Sequence, residues 1–397
     1  MRLLKRSWLT EYMERLKESS EAPPRFMYWC GAAIIAAAMK RHVWLKRGTH
    51  KLYPNMYTVL VGPPGAGKGA AINPAINVIR PSGTINMLSD RLTVPYILER
   101  LAKGFSSATI TQSGGTSIGF DSSVLLVATE LPVLLRDPDG LKDLSDLWDS
   151  REHPFDYGTR GKGLFTIDKP CVNLLGGVTP GGMVRALPEE TISSGFTRRI
   201  NFIYAPHRGK DVPWPPDIIP PDDLLDDLRY ISSHLQGEFK FSPEARMKFE
   251  QVYYASTPGD IEDEVVSSYK STKWVHAAKL AMALSAARCD DLVISLEDIT
   301  QASNEIDQIE EDILRVFRRV GESDLTVVGD KILTLIEARG YASRSEITKA
   351  MWRHATSEDI TRIMTTLIDA GIVIEKQTGN KILYQVIPPL ALGGATP

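Results

Sequence analysis

The sequence predicts an α/β protein: a core of largely parallel strands, helices before and after it, and a small C-terminal module of helices and two strands. Three observations predict it. Short apolar runs (Tyr57–Val61, Val124–Ala128, Cys171–Val178, Ile200–Tyr204) alternate with helical stretches between about 51 and 210, the pattern of a sheet covered on both faces. Apolar positions at helical spacing fill the regions on either side. Beyond Gly321-Glu322-Ser323, three helical segments are followed by two strand-like runs joined at Gly379-Asn380.

Residues 7–42 read as two helices broken at Ala22-Pro23-Pro24, and residues 1–50 as an N-terminal helical collar. The core follows at 51–210. The stretch Asp211-Val212-Pro213-Trp214-Pro215-Pro216 opens a stiff proline-rich connector. It leads into helices over 224–235, 245–254, 274–287 and 296–320, which make a helical region at 211–322. Residues 323–390 form the C-terminal module and 391–397 a tail. Its 46 Lys and Arg against 49 Asp and Glu give a net charge of −3, which excludes a protein coated in basic surface. The three cysteines have no disulfide or zinc spacing and fit a reducing, intracellular setting. The longest apolar run, Phe26–Met39, is shorter than the ~20 residues that span a bilayer. No membrane partner is expected.

The run Tyr57–Val61 enters Gly62-Pro63-Pro64-Gly65-Ala66-Gly67-Lys68-Gly69, and a helix follows from Ala70. This is GxxxxGK in the strand–loop–helix context that the motif requires. Glycines let successive N–H groups surround an anion, the helix N-terminus adds positive potential, and Lys68 reaches the outer phosphates. Gly69 stands where a Ser or Thr hydroxyl ordinarily holds Mg²⁺. A second strand ends in Thr129-Glu130, where Glu130 is suited to polarise water and Thr129 replaces a metal-side aspartate. Thr179 ends a third strand, and Arg198 and Arg199 precede a fourth. A guanidinium there is suited to a neighbouring subunit's nucleotide.

In this order of motifs the chain resembles AAA+ helicases of the superfamily 3 and MCM kind, and is most similar to the helicase portion of phage and mobile-element primase-helicases. The resemblance covers about residues 25–310. It implies ATP and Mg²⁺ as cofactors, with Gly62 to Ala70 in the Walker A loop, Glu130 (with Thr129) at the metal and the attacking water, Thr179 as sensor 1, and Arg198 or Arg199 as arginine finger. The hairpin Tyr157–Leu164 would carry Arg160 and Lys162 to DNA, and Ser271–Asp307 would be the lid, with Lys273 or Lys279 contacting nucleotide. The C-terminal module reads as a winged helix, its third helix capped by Ser357 and its wing offering Lys376 and Lys381 to DNA; Glu358 and Asp359 at the start of that helix would repel phosphate, and protein docking or packing is the alternative role. The implied function is ATP-dependent translocation and unwinding of single-stranded or forked DNA by a homo-oligomer, a hexamer, in the cytoplasm of a bacterial host, beside a primase or polymerase. A nucleotide-switched initiator or loader, and a DNA-reading regulator, are the alternatives.

Overall fold

The structure is a computed structural model that describes residues 2–89, 92–110, 116–129, 131–159, 163–186, 195–216, 222–257, 264–321, 324–352, 354–378 and 381–386. Residues 1–317 make one compact unit and 318–397 another.

The first unit opens with α1 (Trp8–Leu16) and α2 (Pro24–Met39). Trp8, Leu9, Tyr12 and Leu16 bury one face of α1. In α2, Pro24 sits at the first position, where its missing N–H costs nothing, and the residues from Trp29 to Met39 are all buried. Strands β1 (Val43–Arg47), β2 (His50–Leu52) and β3 (Tyr57–Val61) follow, then α3 (Lys68–Ile79), β4 (Met87–Ser89) and α4 (Val94–Lys103). Next come β5 (Phe105–Ile110), β6 (Thr116–Asp121), β7 (Ser123–Ala128), α5 (Pro138–Asp149), β8 (Phe155–Thr159), β9 (Gly163–Ile167) and β10 (Cys171–Val178). The unit is completed by α6 (Pro180–Ala186), β11 (Ile200–Tyr204), α7 (Asp222–His234), β12 (Gly237–Phe241), α8 (Pro243–Ala255), α9 (Glu264–Arg288), β13 (Val293–Ile294) and most of α10 (Leu296–Gly321).

The central sheet has the order β11-β3-β10-β7-β4, every pair parallel. All residues of β3, β7 and β10 are buried, as expected of parallel strands covered on both faces. A second sheet, β13-β12-β1-β2, joins β1, from the segment read as a collar, in parallel with β12, from the segment read as a helical region. Those two stretches, distant in sequence, are therefore continuous in the fold. Two antiparallel hairpins, β5–β6 and β8–β9, stand apart from both sheets.

In the second unit, α11 (Asp324–Arg339), α12 (Arg344–Met351) and α13 (Ser357–Asp369) pack on a sheet of β14 (Ala342–Ser343), β16 (Lys381–Val386) and β15 (Val373–Thr378), in that order. Val328, Ile332 and Ile336, one stripe of α11, meet Ile347, Ile360 and Tyr384 in its core. The cap of α13 is Thr356 rather than Ser357. Its hydroxyl accepts the Asp359 N–H while the Asp359 carboxylate accepts the Thr356 N–H at 3.0 Å, so Ser357 is the first helical residue. No helix among the described residues is long and apolar enough to cross a membrane.

Candidate nucleotide-binding site

Strand β3 delivers the chain to Gly62, whose N–H donates to Val178 O at 3.3 Å and ties the loop to the end of β10. A Cβ at Gly62 would lie 2.6 Å from Ala205 O and 2.8 Å from Ala66 Cβ, so only glycine fits. Gly65 (φ 82°) and Gly67 (φ 85°) take left-handed backbone, which turns the loop back on itself. Gly67 is the N-cap of α3, and the first intrahelical bond runs from Ala71 N–H to Gly67 O. The N–H groups of Lys68, Gly69 and Ala70 thus have no acceptor within the helix, the arrangement by which a helix start holds an anion. Lys68 Nζ donates to Gly62 O (2.6 Å) and Pro63 O (2.9 Å), and partial burial holds its pKa below the usual lysine range. Pro63 is half-buried, Pro64 is exposed and Ala66 is buried.

Helix α3 has a proline inside it, Pro74, which deprives the Ala70 carbonyl of its helical donor. The buried Ser20 hydroxyl supplies the missing bond at 2.9 Å and also accepts from Ala22 N–H. The segment around Ser20–Pro23 thereby lies against the loop: a Cβ on Gly67 would stand 3.1 Å from both Ala22 Cα and Pro23 Cδ. Sequence reading missed Ser20. The signal available for it was the mid-helix proline, which requires an outside donor.

Strands β7 and β10 end beside the loop. A Cβ on Gly177 would lie 3.3 Å from Thr129 O and 3.6 Å from Lys68 Cβ, so Lys68 and the Thr129 backbone meet at this carboxyl edge of the sheet. Thr179 follows β10 at the same edge. Its hydroxyl accepts the Gly182 N–H at 3.0 Å and caps α6. Glu130 lies outside the described residues. The loop fits a polyphosphate, with unfilled N–H groups, an ammonium and glycines where side chains would collide. Toward Mg²⁺ the motif positions offer less: Gly69 brings no oxygen and Thr129 only a hydroxyl.

The other predicted residues are elsewhere. Arg198 and Arg199 sit just before β11, which pairs in register with β3 from Tyr57 onward, so they stand at the opposite, amino edge. Arg199 makes a paired contact with Asp149 at 3.0 and 3.1 Å. Arg198 has no ion-pair partner among the described residues, and its Nε is buried without a hydrogen bond. Burial, then the neighbouring Arg199, lowers its pKa.

One face of α9 docks along this amino edge. Tyr269 OH reaches Asn201, Thr272 and His276 both donate to Arg198 O, and Lys279 Nζ donates to Asn55 O and Oδ1 at 2.9 Å. Lys279 is 1% exposed and lies 4.1 Å from the Trp148 ring centre. The expectation that Lys279 contacts nucleotide is corrected by this geometry, because Asn55 precedes the far end of β3 from the loop. Lys273 is likewise engaged, held between Asp307 and Glu310.

Arg160 and Lys162, in the β8–β9 turn, lie outside the described residues. Lys376 is exposed on β15, and Lys381 opens β16. The chain matches no known protein-family model and no curated protein.

Proposed function

We propose that the chain is an ATPase that drives translocation on DNA, working as a ring with ATP between subunits in the replication of a phage or mobile element. The observation that carries this reading is the GxxxxGK loop between a buried parallel strand and a helix, with β10 interposed between β3 and β7. That order sets Thr179 between the phosphate loop and the strand leading to Glu130. ATP, when bound, supplies a cleavable β–γ phosphoanhydride. The loop N–H groups and Lys68 hold its phosphates, Glu130 takes a proton from water, and Thr179 orients that water. Arg198 suits the trans role better than Arg199, whose charge is already matched by Asp149. Arg160 and Lys162 would follow the DNA backbone, and Lys376 and Lys381 of a winged helix would add phosphate contacts.

A second reading, a nucleotide-switched initiator or loader, is favoured by Gly69 and Thr129, which weaken the Mg²⁺ site relative to the usual motifs. The substitutions Glu130→Gln and Arg198→Ala separate the two. The motor reading expects both variants to bind ATP as the parent does while turnover falls, for Arg198→Ala by about 10³-fold. Turnover equal to the parent in both variants would refute the assigned roles, and no turnover in the parent would favour the switch.

A further inference from the structure

Between the β1–β2 hairpin and α8 lies a cleft of about 860 Å³ that shares no residue with the phosphate loop. Side chains alternate across a strand, so Leu45 and Arg47 face one side of the hairpin and Trp44 and Lys46 the other. Lys51, opposite Lys46, lies over the Trp44 ring at 4.6 Å on that other side. The side that bears Arg47 is walled by α8 and α9. Its guanidinium stands 4.4 Å from the Tyr253 ring centre and 4.3 Å from that of Trp274. Phe241 stacks on Phe249 at 4.8 Å, and Phe249 meets Trp274 edge-on at 6.2 Å. These four rings all line the cleft.

Charge on this side is uneven. Arg246 and Glu250 satisfy each other at 3.2 Å, whereas Arg47 has neither a carboxylate nor a hydrogen-bond acceptor among the described residues. The rings hold its guanidinium without using its N–H groups, so the fork is free to take a planar anion. His50, directly opposite on β2, shares this side and adds an imidazole. A single uncompensated guanidinium in an aromatic-walled cleft of this size matches one ligand chemistry. That is a carboxylate, whose two coplanar oxygens meet the fork, on an apolar body that the rings cover. A phosphate chain would leave most of its charge unmatched here, and an uncharged molecule would leave the fork unused.

We propose that this cleft binds a small organic acid, with its carboxylate on the Arg47 fork and its apolar body against the surrounding rings. The test uses the full chain without nucleotide, and phenylacetate as the probe beside its uncharged counterpart phenylacetamide. Ligand-observed NMR titration should show saturable binding of the acid, about tenfold tighter than that of the amide. Arg47→Met keeps a side chain over both rings and removes the charge, so it should bring the acid down to the amide's affinity. Arg47→Lys keeps the charge and loses the fork, and should fall between the two. Arg47 is exposed, and circular dichroism of both variants should match the parent. Lys68→Ala should leave binding of the acid unchanged. Equal affinity for acid and amide, binding untouched by Arg47→Met, or binding lost with Lys68→Ala would overturn the proposal. So would the absence of saturable phenylacetate binding, and Arg47-dependent capture of an acidic peptide in its place would assign the cleft to a protein partner.

Discussion

At Gly69 the chain has room for a side chain that it does not carry. A Cβ there meets nothing closer than Asn73 Nδ2 at 3.9 Å, and the backbone is ordinary helix, so serine fits without strain. Gly69→Ser restores the hydroxyl that usually holds Mg²⁺. Titrating Mg²⁺ against ATP turnover should show a half-saturating concentration lowered by about tenfold, the equivalent of roughly 1.4 kcal/mol for one contact to a charged group. An unchanged Mg²⁺ requirement would mean that the ion, if it is used, sits away from this position. Gly62 is the opposite case, since a side chain there would strike Ala205 O. The sequence distinguishes these glycines poorly, because both belong to one motif and only the surrounding backbone tells them apart. Lys279 shows the same limit. A lysine in a helical stretch reads as solvated or as a phosphate contact, whereas here Asn55 and Trp148 enclose it and its pKa is lowered to about 7 by burial. That enclosure joins residues more than a hundred positions apart, and no local pattern announces it.

Among the elements, α3 depends on a partner outside itself. Removing the Ser20 hydroxyl leaves the half-buried Ala70 carbonyl without its protein donor, so Ser20→Ala should lower stability by about 1 kcal/mol in denaturant unfolding. Pro74→Ala restores a helical N–H to that carbonyl. It should therefore rescue most of the loss in the double variant, while strictly additive effects would show that the two residues are uncoupled. The strands that organise the site were legible because each is an unbroken apolar run of parallel-sheet type: Tyr57–Val61, Val124–Ala128 and Ile200–Tyr204 agree with β3, β7 and β11 within a residue. Helices α1 and α2 were legible from the proline break between them. The short strands β4, β12 and β13 were not, since two to five residues carry no period, and what makes them strands is pairing with distant partners. The docking of α9 at the amino edge was hidden for a related reason. Its spacing of 269, 272, 276 and 279 marks one helical face but does not say what that face covers.

For the whole molecule, the amino edge of the central sheet is also where acid should act. His276 is fully buried between Tyr269 and Trp148, and burial lowers its pKa from 6.5 to about 4. Between those values the unfolded chain binds a proton at this position and the folded chain does not, so the stability contribution is full above 6.5 and is lost as pH falls toward 4. His276→Phe keeps the ring contacts and removes the titration. Relative to that variant, the parent should lose on the order of 3 kcal/mol across the window in denaturant unfolding. Parallel pH profiles would show that another group governs acid sensitivity. At the carboxyl edge, the measurement that separates a motor from a switch is steady-state ATP hydrolysis with and without single-stranded DNA, beside a Lys68→Ala control. Turnover should be stimulated by DNA and abolished by the lysine substitution. ATP bound by the loop but not hydrolysed, or hydrolysed at a rate indifferent to DNA, would contradict it.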